Sequence, residues 1–155
     1  VSAAAGIALA GKIAGKNYRV YAILGDGELQ EGEVWESAMF SAHYKLDNLC
    51  YIIDNNGLQI DGNIQDVCSP YPIDKKFEAF GFEVIVIDGH DFDQIEAAVE
   101  KAKTVTGKPV AIIAKTVKGK GVSFMEGKAS WHGSAPNEEQ YKTAMDDLAK
   151  IEEVL

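Results

Sequence analysis

Four short segments of the chain are apolar at successive positions instead of at every second one: residues 19–24 (RVYAIL), 49–54 (LCYIID), 82–87 (FEVIVI) and 110–114 (VAIIA). A strand with one wet face alternates, whereas a strand covered on both faces has no polar side to show. The pattern therefore predicts buried strands near 19–24, 49–54, 82–87 and 110–115. Between them the apolar spacing changes to three and four. Residues 30–46 place Val34, Trp35, Ala38, Met39, Ala42 and Leu46 on one helix face, and residues 93–106 do the same with Ile95, Ala98, Val99, Ala102 and Val105. Asp91 or Asp93 can cap the second of these helices, and Gly107-Lys108-Pro109 stops it. A further helical pattern covers 137–155, opened by Pro136-Asn137, and the first residues, VSAAAGIALAGKIAG, read as a small-residue helix entered part-way.

The predicted order, αβαβαβαβα, requires crossover connections. It implies a three-layer α/β/α domain with a mainly parallel sheet. In such sheets ligands sit beyond the carboxyl ends of the strands. The informative residues are thus those that follow each strand: Gly25-Asp26-Gly27, Asn55-Asn56-Gly57, Asp88-Gly89-His90 and Lys115 onwards.

Composition narrows the function classes. At 155 residues, with 46% apolar and 25% charged residues, the chain fits one globular domain, 1–155. Its net charge of −9 repels nucleic acid and anionic lipid, so neither is expected as a partner. Binding a phosphate on such a surface needs a local device, either backbone N–H groups at a helix start or a divalent cation. Cys50 and Cys68 have no zinc-ligand spacing and are expected as reduced thiols, which points to a cytoplasmic protein. No segment approaches eighteen successive apolar residues, so no membrane span is expected.

Two loops carry chemistry. GDGELQEG (25–32) removes side chains at Gly25 and Gly27 and places the Asp26 carboxylate at the first strand end. Asp54-Asn55-Asn56-Gly57-Leu58-Gln59-Ile60-Asp61-Gly62 offers carboxamide and main-chain carbonyls at the second. If the two strands are neighbours, one carboxylate, one Asn carbonyl and one backbone carbonyl form a hard-oxygen site. Magnesium prefers about six oxygens, so positions stay open for a diphosphate. Either motif alone is an ordinary turn, since Asp-Gly and Asn-Gly are common turn dipeptides. Together, each behind an apolar strand with a helical segment between, they have the arrangement a metal–diphosphate site needs.

GDG, a spacer of 27 residues (28–54) and then Asn55-Asn56 resembles the signature of thiamine-diphosphate enzymes. GDGELQEGEVWESAMFSAHYKLDNLCYIIDNNGLQIDG resembles the diphosphate-binding domain of transketolase, and the likeness continues through Asp88-Gly89-His90-Asp91, Lys115-Thr116-Lys118-Gly119-Lys120-Gly121 and Trp131-His132-Gly133. It implies the thiamine-diphosphate-binding fold and transfer of a two-carbon ketol unit from a ketose phosphate to an aldose phosphate. Asp26 and Asn56 match side-chain ligands of magnesium (calcium or manganese as substitutes), and the Leu58 carbonyl matches the third ligand. Gly25, Gly27 and Glu28 match the turn against the diphosphate, with Glu28 acting through its backbone. Ile60 matches an apolar wall beside the thiazolium, and His132 a histidine near the diphosphate and the donor sugar. Glu31 and Glu36 match acidic residues of a polar network joining two active sites. Their plain reading is a solvated helix start.

The family domain begins earlier than this chain and is followed by pyrimidine-binding and C-terminal domains. The resemblance therefore implies a section shortened at its N-terminus, like most of the N-terminal subunit in organisms that divide transketolase. It would be active only with the pyrimidine-binding section as partner. Apolar residues from Val1 to Ala14, with Trp35 and Met39, suggest burial in a homo- or hetero-oligomer. His43 reads as a packing or surface residue and His90 as a loop anchor. Lys115–Lys120 reads equally as a solvated loop or as a cationic patch. Two other readings stay open: a deoxyxylulose-phosphate synthase-like component, and a non-catalytic α/β module in which GDG and NNG are turns.

Overall fold

A computed structural model describes residues 1–152. Its elements are α1 (Ser2–Ile13), β1 (Val20–Gly25), a 3-10 turn (Asp26–Gln30), α2 (Gly32–His43), β2 (Leu49–Asn55), β3 (Leu58–Gln59), β4 (Gly62–Asn63), α3 (Ile64–Val67), α4 (Ile73–Ala79), β5 (Glu83–Asp88), α5 (Phe92–Thr104), β6 (Val110–Lys115), a second 3-10 turn (Ala129–Trp131) and α6 (Glu138–Glu152). The last three residues of the expected final helix lie outside the described residues. All four expected strands form, each within a residue or two of its predicted ends.

The strands make one parallel sheet in the order β1-β2-β6-β5. Every crossover carries a helix, as parallel neighbours require. Odd-numbered positions of β2 and β6 face α1, α2 and α4: Tyr51, Ile53, Ala111 and Ile113 pack with Ala5, Ala8, Val34, Ala38, Ile73 and Phe77. Even-numbered positions face α5, where Cys50, Ile112 and Ala114 meet Ala98 and Ala102. Central strand β2 is thus apolar on both faces, and each large side chain it buries contributes about 1.5–3 kcal/mol.

Edge strand β1 departs from the expectation that both faces are covered. Tyr21 and Ile23, on its α5 side, are 41% and 75% exposed, because α5 reaches only the neighbouring strands. Trp35 departs in the opposite sense. It stacks against Phe80 at 5.4 Å and tilts against Phe77 at 5.2 Å, so it belongs to the core rather than to an open apolar surface. Met39, Phe40, Ile7 and Ile13 do stay exposed along α1 and α2.

Caps and close approaches set the loops that follow the strands. The Asp91 carboxylate caps α5 through the Gln94 N–H at 3.1 Å, and Asn137 does the same for α6 at 2.9 Å. Gly89 follows β5 where a Cβ would stand 2.5 Å from Thr116 Cγ2 and 3.1 Å from the Lys115 carbonyl, so only glycine lets the two strand ends meet. The chain after GDG enters its helix at residue 32, two residues later than the expected start at 30. It closes a 3-10 turn, becomes extended at Glu31, and only then enters α2 at Gly32.

Candidate active site

β1 and β2 are adjacent, and Gly25 pairs in register with Asp54. The GDG turn and the NNG loop therefore start side by side at the carboxyl edge. They are joined through Asp26, whose side chain is 1% exposed. Its Oδ2 accepts the Gly57 N–H at 2.7 Å and the Asn55 Nδ2–H at 2.8 Å. Its Oδ1 is buried and has no hydrogen-bond partner. An acceptor left in that state costs free energy, more so for a charged group, unless something cationic completes it.

Burial pushes the Asp26 carboxyl above its ordinary value. The Gly57 and Asn55 bonds pull it back, and the nearby Asp54 carboxylate raises it again. The site is thus built around an acid that is held in place by two donors and lacks a counter-charge.

The Asn56 amide is fixed at both ends. Its Nδ2 donates to Asp54 Oδ2 at 2.9 Å, and its Oδ1 accepts the Leu58 N–H at 2.9 Å. Leu58 and Gln59 then pair with Asn63 and Gly62 in a short antiparallel hairpin. The hairpin leans on the GDG turn. A Cβ on Gly27 would stand 3.3 Å from Gln59 Cβ, and Gln30 Nε2 donates to Gln59 Oε1 and to the Cys68 carbonyl. The Glu28 carboxylate turns inward and accepts the Gly25 N–H at 2.6 Å, so its side chain closes the turn.

Between these loops lies an open cleft of about 500 Å3. Gly25, Asp26, Gly27, Glu28, Glu31, Asn56, Leu58, Ile60 and His132, all expected at the site, border it. Ile60, at the hairpin tip, is 72% exposed and offers an apolar wall, and His132 closes the 3-10 turn on the far side. Glu36 is elsewhere, in a hollow between α1 and α2 with Ser2 and Phe40. The lysine run is also divided. Lys118 reaches the cleft, whereas Lys115 and Lys120 border a separate hollow with His90. His90 anchors that loop as expected, its Nε2 accepting the Val117 N–H at 2.8 Å. His43 ends α2 at the surface.

Lys118 comes from the lysine run, whereas Gln30, Gln59 and Asp54 also border the cleft without being expected there. Only Asp54 carried a signal, an acceptor two residues before a candidate amide ligand. Among the described residues, no three His, Cys, Asp or Glu side chains gather for a metal. A cation here would be held by one carboxylate, one amide and main-chain oxygen. No helix among those residues is long and apolar enough to cross a membrane.

Residues 3–150 match the family model described as transketolase, thiamine diphosphate binding domain. The chain belongs to that family. It is 46% identical over 149 residues to the 6-deoxy-6-sulfo-D-fructose transketolase subunit of Clostridium sp. (strain MSTE9), covering 96% of this chain and 54% of that protein. It is 43% identical over 145 residues to an apulose-4-phosphate transketolase subunit from Actinobacillus succinogenes, covering 94% of this chain and 52% of that protein. With human transketolase it shares 48% identity over 136 residues, covering 86% of this chain and 21% of the human protein. The chain thus spans about half the length of the subunit relatives and about a fifth of the human enzyme. Among solved structures, the transketolase of Campylobacter jejuni superimposes with a TM-score of 0.89 at 37% identity, over 94% of this chain and 24% of that one. The three-layer α/β/α fold expected from the sequence is therefore the fold of the transketolase cofactor domain.

Proposed function

We propose that this domain holds the diphosphate end of thiamine diphosphate through a magnesium ion, in an enzyme that transfers a two-carbon ketol unit between sugar phosphates. The observation that carries the reading is the buried Asp26 Oδ1, an acceptor without a donor at the edge of an open cleft. A carboxylate, an amide oxygen and a main-chain carbonyl are the hard donors magnesium takes, and they leave coordination positions for phosphate oxygens. In this reading the ion is held by Asp26, Asn56 and the Leu58 carbonyl. Calcium or manganese can take its place.

The remaining residues have separate tasks. Gly27 lets the hairpin pack closely on the turn at Gln59, and the Glu28 side chain locks that turn through Gly25, so the diphosphate meets a fixed backbone. Ile60 supplies the dry surface beside the thiazolium. His132 and Lys118 place cationic or hydrogen-bonding groups where phosphate and donor sugar meet on an otherwise acidic protein. Glu31 faces the same cleft and belongs to a polar network that continues into a neighbouring active site. When bound, thiamine diphosphate supplies the carbon nucleophile that takes up the ketol fragment. The residues described here bind the cofactor's diphosphate, orient it and offset its charge.

The pyrimidine end requires a second section, on the same polypeptide or on another, so the working enzyme includes a pyrimidine-binding domain. The two subunit relatives that match over about half their length support this division. The test is a ketol-transfer assay on the purified chain, on a matching pyrimidine-binding section and on their mixture, with and without magnesium. Activity that appears only in the mixture and only with a divalent cation is the expected result. Activity of the mixture unaffected by chelation would refute the cation reading.

A further inference from the structure

Resting on that cation reading, we propose that Asp54 is a positioning residue: its carboxylate orients the Asn56 amide so that Oδ1, not Nδ2, faces the cation. The two ends of an amide have almost the same shape, and a flip of the amide would offer the ion a positively polarised NH2 group. Something must therefore tell the ends apart. A carboxylate only accepts, so Asp54 Oδ2, 2.9 Å from Asn56 Nδ2, selects the nitrogen. A flip would set the amide oxygen against that carboxylate and the NH2 group against the Leu58 N–H.

The position of Asp54 suits this task. It is the penultimate residue of β2, fixed in register beside Gly25 on one side and Ala114 on the other. Its second oxygen accepts the Thr116 hydroxyl, just beyond β6. Both oxygens are thus occupied by neutral donors, and Asp54 is not left as a competing ligand. The surrounding side chains on that face, Ile52, Ile87, Ile112 and Ala114, are apolar, so Asn56 and Thr116 are its hydrogen-bonding partners there. The Leu58 N–H favours the same orientation, but Leu58 belongs to the hairpin. Asp54 ties the amide to the sheet.

The experiment uses the complete enzyme and measures retention of thiamine diphosphate by equilibrium dialysis against graded Mg2+, with no turnover involved. Asp54→Leu should raise the half-saturating Mg2+ concentration about tenfold or more, the usual cost of losing an outer partner of a metal ligand. Circular dichroism checks that the variant is folded. If it is not, Asp54→Asn carries the same test with a smaller rise expected. The decisive comparison repeats the change in Asn56→Asp, whose carboxylate has no nitrogen to misdirect. There the Asp54 change should leave half-saturation unaltered or lower it, because a like charge is removed. An equal rise in both backgrounds, or none in the first, would overturn the assignment. Asp26→Ala separates the two levels. If it loses Mg2+-dependent retention while Asp54 variants keep it, the cation reading stands and the Asp54 proposal falls. If it retains it, both fall.

Discussion

Replacing Asp26 by Asn should make the protein more stable without its ligands and less stable with them. The carboxylate is buried, and Oδ1 has no partner. Leaving such a charge buried without a counter-charge costs about 3–5 kcal/mol. The amide keeps an oxygen for the Gly57 and Asn55 donors but turns two charge-assisted bonds into neutral ones and leaves its NH2 group without an acceptor where Oδ1 stood, which together give back about 2–4 kcal/mol. The balance favours the variant by about 1 kcal/mol, or about 2–4 °C in the midpoint of a domain of this size. With Mg2+ and thiamine diphosphate at a hundred times their dissociation constants, the wild type gains about 2.7 kcal/mol and the variant gains nothing. The order of midpoints therefore reverses.

The pH dependence has a fixed sign. Burial raises the Asp26 carboxyl, so the native state favours its protonated form. The stability linked to that proton is full below the unfolded value and is lost as pH rises through the raised one. The advantage of the variant should thus be small in acid and grow toward neutral pH. Differential scanning calorimetry of the complete protein, in chelator and then with both ligands, reads all three effects. A variant less stable than wild type in chelator, or equally stabilised by the ligands, would mean that the unpartnered Asp26 oxygen is neither a burden to the empty site nor a ligand in the filled one.

Other consequences concern the core and the thiols. Tyr51→Phe removes the phenol that bonds the Ser37 hydroxyl at 2.8 Å inside the core, and should cost about 1–2 kcal/mol in urea titration. An unchanged midpoint would mean that bond contributes nothing. Phe77→Ala empties the space between Trp35, Tyr51 and Phe82 and should cost about 3–5 kcal/mol. A loss under about 1 kcal/mol would show that the aromatic cluster collapses around the gap. Burial pushes the Cys50 thiol up to about 12, while Cys68 is exposed. Brief alkylation of the native protein, read by peptide mass spectrometry, should label Cys68 and spare Cys50. Equal labelling would mean that β2 opens readily.

The strands were legible because a parallel sheet leaves no polar alternation, and Leu49 to Ile53 show this in β2. The site was legible because Asp26 and Asn56 follow two such strands, and the register brings their loops together. Three features were not. The 3-10 turn at Asp26–Gln30 lies in what the sequence shows only as a loop, because it is closed by the Glu28 side chain on the Gly25 N–H and not by any apolar period. The β3–β4 hairpin is two residues deep, too short for any period to register. The lysine run reads equally as a solvated loop or as a patch, and its division is not in the spacing: Gly119 and Gly121 sit at φ of 69° and 88°, and Lys118 and Lys120 face different hollows. Asp54 was visible as a residue. Its bond to the Asn56 nitrogen belongs to side-chain geometry that no spacing encodes.

Whether the cleft between the GDG and NNG loops holds a cation and a diphosphate can be seen directly. Crystals of the complete enzyme grown with thiamine diphosphate and Mn2+, measured at the manganese absorption edge, locate the ion. One anomalous peak is expected within about 2.0–2.3 Å of Asp26 Oδ1, Asn56 Oδ1 and the Leu58 carbonyl, bridged to the diphosphate. A bound diphosphate whose ion touches none of these three oxygens would show that the cleft works by other means.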